Sequence, residues 1–106
     1  MISLEDFKKI DLRVGKIIEV KDHPNADKLY VLTVDLGNEK RNIVAGIKKY
    51  YKPEELIGKY IIVVANLEPK NIRGVVSEGM LLAAQDDKEI SLLTVDKEIK
   101  VGAKVG

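Results

Sequence analysis

Apolar and polar residues alternate with a period of two in two segments near the start of the chain, as they do in half-buried β-strands. In residues 12–21 the apolar positions on one side are Leu12, Val14, Ile18 and Val20. In residues 28–36 they are Tyr30, Leu32, Val34 and Leu36. A Gly-Asn pair then supplies a tight turn into a third strand-like segment, residues 41–47. The pattern therefore predicts three strands, with the second and third joined as a hairpin.

The second half of the chain carries one continuous apolar run and several shorter ones. Residues 60–65 read Tyr-Ile-Ile-Val-Val-Ala, which is typical of a strand buried on both faces. Residues 66–78 contain proline, asparagine and glycine and are predicted to form a long loop. A fifth strand is predicted at 79–85, and shorter apolar segments follow at 90–95 and 99–105.

Two short helices are predicted from capping signals. Ser3 is followed three residues later by an acid, as in a capping box, and Leu4, Phe7 and Ile10 recur at helical spacing. Residues 53–56 read Pro-Glu-Glu-Leu, which places proline at the first helical position and acids at the positive end of the helix dipole. One helix is therefore expected before the first strand and one between the third and fourth strands.

Three strands, a short helix and two more strands match the element order of an OB-fold, an all-β five-stranded Greek-key barrel. In that barrel the loops between strands one and two and between strands four and five flank the ligand face. Here those loops are residues 22–27 and 66–78. We expect one domain over residues 1–106, with an N-terminal helix and a C-terminal extension added to the barrel. Another small barrel or a two-layer α+β fold would show similar punctuation.

Composition narrows the class of protein. Of 106 residues, 45% are hydrophobic and 33% are charged, which is enough to build a core and too apolar for a disordered chain. There is no cysteine, so disulfides and cysteine-based metal sites are excluded. No apolar run reaches the length of a membrane span, and the first ten residues include charged side chains where a signal peptide would be apolar. A cytoplasmic protein without a membrane partner is the expectation.

The net charge of +1 hides an uneven distribution. Residues 1–53 carry 11 Lys and Arg against 8 Asp and Glu, whereas residues 54–106 carry 7 against 9. The segment 40–52 contains five basic residues and no acid. Such a stretch favours one side of a polyanion-binding site. A solvated lysine-rich surface is the alternative interpretation.

Catalytic chemistry has little support in the residues. His23 is the only histidine, so no histidine-based metal cluster or His-paired nucleophile can form with partners elsewhere in the chain. No phosphate-binding glycine loop and no nucleophile-elbow motif is present. The acid pairs at 54–55 and 86–87 fall at a helix start and a turn. We therefore expect no catalytic residues, no cofactor and no metal, with His23 serving as a turn residue.

Six short motifs give the chain a family resemblance over nearly its whole length. They are DLRVGKI at 11–17, HPNADKLY at 23–30, VDLG at 34–37, RNIVAGI at 41–47, VANL at 64–67 and SEGM at 77–80. In this order and spacing they resemble the EMAP II-type tRNA-binding domain. That domain occurs at the C-terminus of many methionyl-tRNA synthetases, as separate β subunits of that enzyme, and as stand-alone proteins. The resemblance implies an OB-fold, structure-selective tRNA binding and homodimerisation.

Candidate tRNA-binding residues follow from the loops and from the resemblance. The long cations at the predicted loops and at the exit of the third strand are Lys28, Arg41, Lys48, Lys49, Lys70 and Arg73. They are candidates for phosphate contacts, Arg73 above all, because a guanidinium grips phosphate with two hydrogen bonds. The resemblance places two neutral residues, Asn66 and Ser77, on the ligand side. Glu78 is expected to brace the loop, and Met80 is expected either to face a ribose or base or to enter the core.

The aromatic inventory favours recognition of RNA shape. The only rings are Phe7, Tyr30, Tyr50, Tyr51 and Tyr60, so platforms for stacking single-stranded bases are scarce. The sequence therefore predicts a non-catalytic homodimer that binds folded tRNA for a synthetase, with a methionyl-tRNA synthetase catalytic subunit as a further partner. Apolar residues at both chain ends exceed what one small barrel needs and are expected to bury in the dimer. They are Leu4, Phe7, Ile10, Ile90, Leu92, Leu93, Val95, Val101 and Val105. The rival hypothesis is a CsaA-like export chaperone that binds unfolded polypeptides.

Overall fold

A computed structural model describes all 106 residues and shows ten strands and two one-turn helices. The helices are α1 (Leu4–Phe7) and α2 (Pro53–Leu56). The long strands are β1 (Leu12–Asp22), β2 (Tyr30–Asp35), β3 (Lys40–Ala45) and β4 (Tyr60–Val64). The short strands are β5 (Lys70–Ile72), β6 (Val75–Ser77), β7 (Met80–Leu81), β8 (Ala83–Gln85), β9 (Ile90–Leu92) and β10 (Lys104–Val105). Neither helix has the length or the apolar composition to cross a membrane.

The main sheet is antiparallel, with the strand order β3-β2-β1-β4-β7, and β10 pairs with the start of β1. The sheet curls into a nearly closed barrel, because the segment that follows β6 returns to β3. There the Glu78 N–H donates to the Asn42 carbonyl over 2.8 Å. This arrangement confirms the predicted OB-fold. The helix α2 lies between strands three and four as expected, and its Leu56 is fully buried in the core.

A β-bulge in β1 corrects the alternation predicted for that strand. The pairing register between β1 and β2 shifts between Ile17 and Glu19, so Ile18 is an extra residue and is 37% exposed. Ile17 is fully buried instead, opposite Val34. Because a bulge reverses the side on which later residues lie, both Ile17 and Val20 pack with the core. Residues of β1 on both sides of the bulge thus contribute to the same core.

The predicted long loop at 66–78 contains a regular hairpin. Strands β5 and β6 pair in register from Lys70 with Ser77 to Ile72 with Val75, which leaves Arg73 and Gly74 as a two-residue turn. Both turn residues have positive φ, +53° and +99°. The predicted fifth strand is also divided, since β7 pairs with β4 whereas β8 pairs with β9.

The chain ends differ in how far their apolar residues are covered. Leu92 belongs to the core and Ile90 packs against it, so these two are not available to a partner as the sequence suggested. Leu4 is 66% exposed, and Phe7, Ile10 and Leu93 also keep much of their surface accessible. The helix α1 has no buried residue, and its Ser3 cap accepts the Asp6 N–H as predicted.

Candidate nucleic-acid interface

The β1–β2 loop and the β5–β6 hairpin are joined to each other by side-chain hydrogen bonds. The Nε2 of His23, at the start of the loop, lies 2.8 Å from the carbonyl oxygen of Ile72 in the hairpin. The Nδ2 of Asn25 donates to the Arg73 carbonyl over 3.0 Å. These two elements are nearly 50 residues apart in sequence, and their contact builds one continuous edge of the barrel.

Two predicted phosphate ligands, Lys28 and Arg73, meet at that edge. Both side chains are exposed, and both line an open cleft of about 480 Å³ formed with residues 25–29 of the loop. The cleft is lined by these two cations and by one acid, Asp27, so its net charge is positive, which favours a phosphate. The structure therefore brings together the pair that the sequence placed in separate loops.

A second cleft, of about 550 Å³, lies on the other side of the hairpin. Lys70 and Glu68 are at its polar rim, and Leu67, Ile72 and Met80 supply apolar surface. Met80 is 48% exposed, so its thioether faces the cleft region rather than filling the core. A cation beside accessible apolar surface suits a phosphate followed by a ribose or a base.

Lys48 and Lys49 follow β3, and Lys48 lies near the beginning of the β1–β2 loop. The Nζ of Lys48 forms a 3.0 Å ion pair with Asp22, the last residue of β1, and lies 6.0 Å from the centroid of the Tyr30 ring. The Nζ of Lys49 lies 5.9 Å from the centroid of the Tyr50 ring. Both lysines therefore extend the cationic surface, although the charge of Lys48 is partly offset by Asp22.

Arg41 differs from the other predicted phosphate ligands, because its guanidinium is occupied within the chain. Its Nε donates to Glu39 over 2.6 Å, and its Nη1 donates to the carbonyl of Ala65. The hydrogen bond and charge of Glu39 raise the pKa of Arg41, and the same bond lowers the pKa of Glu39. With its side chain only 22% exposed, Arg41 ties β3 to the end of β4.

Asn66 also has a structural role that the sequence did not reveal. Its Oδ1 accepts the Asp11 N–H over 2.8 Å, and its Nδ2 donates to the Lys9 carbonyl over 2.7 Å. The side chain thus fixes the segment between α1 and β1 to the end of β4. Contact between this amide and RNA would compete with those two bonds.

Ser77 and Glu78 close the barrel. The Ser77 hydroxyl is buried, accepts the Val44 N–H over 3.0 Å and donates to the Gly79 carbonyl over 3.0 Å. The Glu78 carboxylate accepts the Asn42 N–H over 3.2 Å, which is the bracing predicted for it. Gly79 has a φ of +140°, and a Cβ there would lie 3.0 Å from the Val64 carbonyl, so glycine is required for this close approach. The single proton of the Ser77 hydroxyl is used in the bond to the Gly79 carbonyl, so this hydroxyl has no proton to donate to RNA.

The titratable side chains do not have the geometry of a metal site. No cluster of three or more His, Cys, Asp or Glu side chains is close enough to hold a metal ion. Both ring nitrogens of His23 are engaged, one with the Ile72 carbonyl and one with the Asn25 N–H. The site consists of exposed cations around two clefts on a braced barrel edge.

A family model described as "Putative tRNA binding domain" matches residues 12–104. The chain belongs to this tRNA-binding domain family. The matched residues include the four long strands, the β1–β2 loop, the β5–β6 hairpin, and Ser77 and Glu78 at the closure of the barrel.

Methionine–tRNA ligases contain segments that are similar to this tRNA-binding domain. The ligase of Pyrococcus horikoshii is 70% identical over 104 residues, and that of Methanocaldococcus jannaschii is 59% identical over 105. The ligase of Thermotoga maritima is 56% identical over 104 residues. Each alignment covers 98% of the chain, but the chain spans only 14% to 16% of the length of these relatives.

Two solved structures match the domain over its full length. A MetRS-related protein from Pyrococcus horikoshii has a TM-score of 0.93 at 40% identity, with 98% of that chain covered. The CsaA chaperone protein from Picrophilus torridus has a TM-score of 0.93 at 41% identity, with 100% of that chain covered. The fold is therefore shared by proteins named for tRNA aminoacylation and by proteins named as chaperones.

Proposed function

We propose that this domain is a non-catalytic module that binds folded tRNA through the cationic edge of its barrel. The observation that carries the proposal is the meeting of Lys28 and Arg73 at one cleft, produced by loops that hydrogen bonds hold together. A phosphate at that cleft would be contacted from two sides. The family match supports tRNA as the polyanion.

The two clefts contact different phosphates of the tRNA in this proposal. Lys28 and Arg73 contact phosphates at the first cleft, and Lys70 contacts a phosphate at the second, where Met80 meets the adjoining ribose or base. Lys48 and Lys49 extend the contact beyond the β1–β2 loop. Arg41 is left out of this set because its guanidinium braces the barrel.

The mode of recognition is shape and backbone reading. Of the five rings in the chain, Tyr30 is buried and its hydroxyl donates to the Tyr51 carbonyl, so it offers no face to a base. Lysines outnumber arginines, and a lysine contacts phosphate as a point charge without reading base edges. We therefore expect folded tRNAs that differ only in the anticodon to bind alike.

Homodimerisation is part of the proposal. Leu4, Phe7 and Ile10 project from the N-terminal segment and stay exposed, and Phe7 and Ile10 line an apolar groove of about 490 Å³ with Leu12 and Leu82. A second copy of the chain would bury this surface and place two cationic edges on one particle.

Association with a methionyl-tRNA synthetase in the cytoplasm completes the proposal. The similarity to segments of methionine–tRNA ligases supports this partner. A domain that holds tRNA next to a catalytic subunit raises the effective concentration of the tRNA and needs no chemistry of its own.

Filter binding at fixed salt tests the proposed activity. Folded tRNA, the same tRNA unfolded by heat without Mg²⁺, and single-stranded DNA of equal length are compared. We expect folded tRNA to bind at least about tenfold more tightly than the other two, since a fixed constellation of cations fits a fixed array of phosphates. Equal affinity for all three nucleic acids would contradict the proposal.

A polypeptide-binding function is the second candidate, favoured by the apolar groove and by the similarity to CsaA chaperones. Seven of the nine residues that line the groove are hydrophobic. Polypeptide capture by such a surface would persist at high salt, whereas tRNA binding would not. Suppression of the aggregation of an unfolded test protein at 0.5 M salt, unaffected by added tRNA, would favour this candidate.

A further inference from the structure

His23 is a buried ring that connects two ligand-side elements. It is 5% exposed, and its Nδ1 accepts the Asn25 N–H over 2.9 Å. A nitrogen that accepts carries no proton, so the ring proton is on Nε2, which donates to the Ile72 carbonyl over 2.8 Å. One of these bonds lies within the β1–β2 loop, and the other crosses to the β5–β6 hairpin.

Asn25 adds a second connection at the next carbonyl of the hairpin. Its Nδ2 donates to the Arg73 carbonyl over 3.0 Å. The same Nδ2 would lie 3.2 Å from a Cβ built on Gly74, so the side chain contacts the turn itself. The consecutive carbonyls of Ile72 and Arg73 are thus both held by the β1–β2 loop.

These connections fix a residue whose backbone is unfavourable. Arg73 is the only non-glycine residue with positive φ in the chain. For an L-residue other than Gly, Asn or Asp this conformation costs about 1–2 kcal/mol. Arginine at a position that suits glycine or asparagine is explained if its guanidinium is needed at that place.

We propose that His23 and Asn25 are positioning residues for tRNA binding, holding Arg73 at the cleft that it shares with Lys28. The inference rests on the proposed function. Neither side chain needs to contact RNA, since both act through the backbone of the hairpin turn. With the connection broken, the turn moves independently of the loop and the two cations no longer present one fixed phosphate site.

A double-mutant cycle on tRNA affinity tests this role. Arg73→Ala should weaken binding by about 5- to 100-fold, and His23→Ala should reproduce most of that loss. The double variant should bind no more than about threefold more weakly than Arg73→Ala alone, because residues that act through one another are non-additive. Lys49→Ala is the matched control, and its effect should multiply with that of His23→Ala. Multiplying effects for His23 and Arg73 would overturn the proposal.

Two isosteric variants separate the hairpin connection from folding of the loop. His23→Gln places an amide N–H near the position of Nε2 and can still donate to the Ile72 carbonyl, whereas His23→Asn places an amide oxygen near Nδ1 and keeps only the bond within the loop. We expect Gln to recover tRNA affinity and Asn not to recover it. Recovery by Asn and not by Gln would overturn the role assigned to the hairpin connection.

Asn25→Ala tests the proposal even if the substitutions at the buried His23 prevent folding. Asn25 is exposed, and the substitution removes the bond to Arg73 while leaving the backbone N–H that His23 accepts. Its affinity loss should also be non-additive with Arg73→Ala. If the wild-type protein does not bind tRNA at all, the proposed function fails separately. The connection is then judged by faster hydrogen exchange of the Gly74 amide in Asn25→Ala than in wild type, and unchanged exchange would overturn it.

Discussion

At the scale of single residues, Arg73 has an unfavourable backbone conformation but places a positive charge at the cleft that it shares with Lys28. Its φ of +53° lies in the left-handed region, and it precedes Gly74 in a two-residue hairpin turn. Asparagine and glycine are the residues that favour such a turn, because they adopt positive φ at little cost. Arginine is thus an unfavourable residue for the hairpin turn at position 73, where its side chain lines the same cleft as Lys28.

Arg73→Asn should therefore separate stability from function. We expect the free energy of unfolding to rise by about 1 kcal/mol, since asparagine relieves the backbone cost, while tRNA binding weakens by about 1–3 kcal/mol. Thermal unfolding and filter binding on the same sample measure the two effects. Lys28→Ala, at an exposed position in the opposite loop, is the control and should weaken binding with little change in stability. A lower unfolding temperature for Arg73→Asn would contradict the account.

The ion pair of Arg41 with Glu39 predicts an acid-sensitive brace. The hydrogen bond from Arg41 holds the pKa of Glu39 below its usual 4.5, so the pair stabilises the fold above that value and its contribution disappears as pH falls through the lowered pKa. Glu39→Gln should lower the unfolding temperature at pH 7 and reduce the further drop between pH 7 and pH 3. Glu98→Gln, at an exposed carboxylate that makes no ion pair, is the control. An identical drop in Glu39→Gln and wild type would contradict the brace.

At the scale of secondary structure, the barrel is closed by side chains as much as by a strand ladder. At the end of β6, the Ser77 hydroxyl and the carboxylate of the following Glu78 each accept a backbone N–H of β3. The Val44 N–H is half-buried and the Asn42 N–H is exposed, and the SEGM motif supplies an acceptor to each of them. This explains why a carboxylate lies near a surface proposed to bind phosphates.

Ser77→Ala and Glu78→Gln should differ in stability. The first leaves the half-buried Val44 N–H without an acceptor and should cost about 1–3 kcal/mol of unfolding free energy. The second keeps an amide oxygen for the Asn42 N–H and should cost much less. Chemical denaturation measures both, with Ser91→Ala, at an exposed serine of β9, as the control. A Ser77→Ala protein as stable as wild type would contradict this account of closure.

The elements that could be predicted from the sequence are those with local signals. Strand alternation, the Pro-Glu-Glu-Leu helix and the Gly37 turn gave the barrel order correctly. The hairpin at residues 70–77 was missed because Arg73 is not a turn-forming residue. The roles of Arg41 and Asn66 were missed because the backbone groups that their side chains bind lie 24 to 57 residues away in sequence. Lys28 and Lys70 are exposed, as expected for charged side chains, and their contact with phosphates stays a prediction.

At the scale of the whole molecule, the first cationic cleft and the exposed apolar residues of the N-terminal segment occupy different parts of the surface. Lys28, Arg73 and Lys70 lie around the β5–β6 hairpin, while Leu4, Phe7 and Ile10 belong to the N-terminal segment. Leu67 and Met80 line both the second cleft and the apolar groove, whereas the first cleft shares no residue with the groove. A dimer formed through the N-terminal segment would therefore leave the first cleft of each protomer open.

Light scattering tests that dimer. The wild-type protein should show about twice the chain mass of 11.8 kDa at micromolar concentration. Phe7→Asp should shift the mass to that of one chain, because a carboxylate at a covered apolar contact costs more than the contact gains. Ile57→Asp, at an isoleucine after α2 that is more exposed than Phe7, is the control and should leave the mass unchanged. A wild-type mass of one chain would contradict the proposed dimer.

The salt dependence of tRNA binding tests the central claim most directly. Five cations per protomer are available for phosphates in this account, which predicts a slope of log K against log salt of about −4.5, by analogy with duplex DNA. Each of Lys28→Ala, Lys70→Ala and Arg73→Ala should reduce the magnitude of that slope by about 0.9. Arg41→Ala should lower stability and leave the slope nearly unchanged. Binding that persists with a flat salt response, or a slope that the three cleft variants do not alter, would contradict the account.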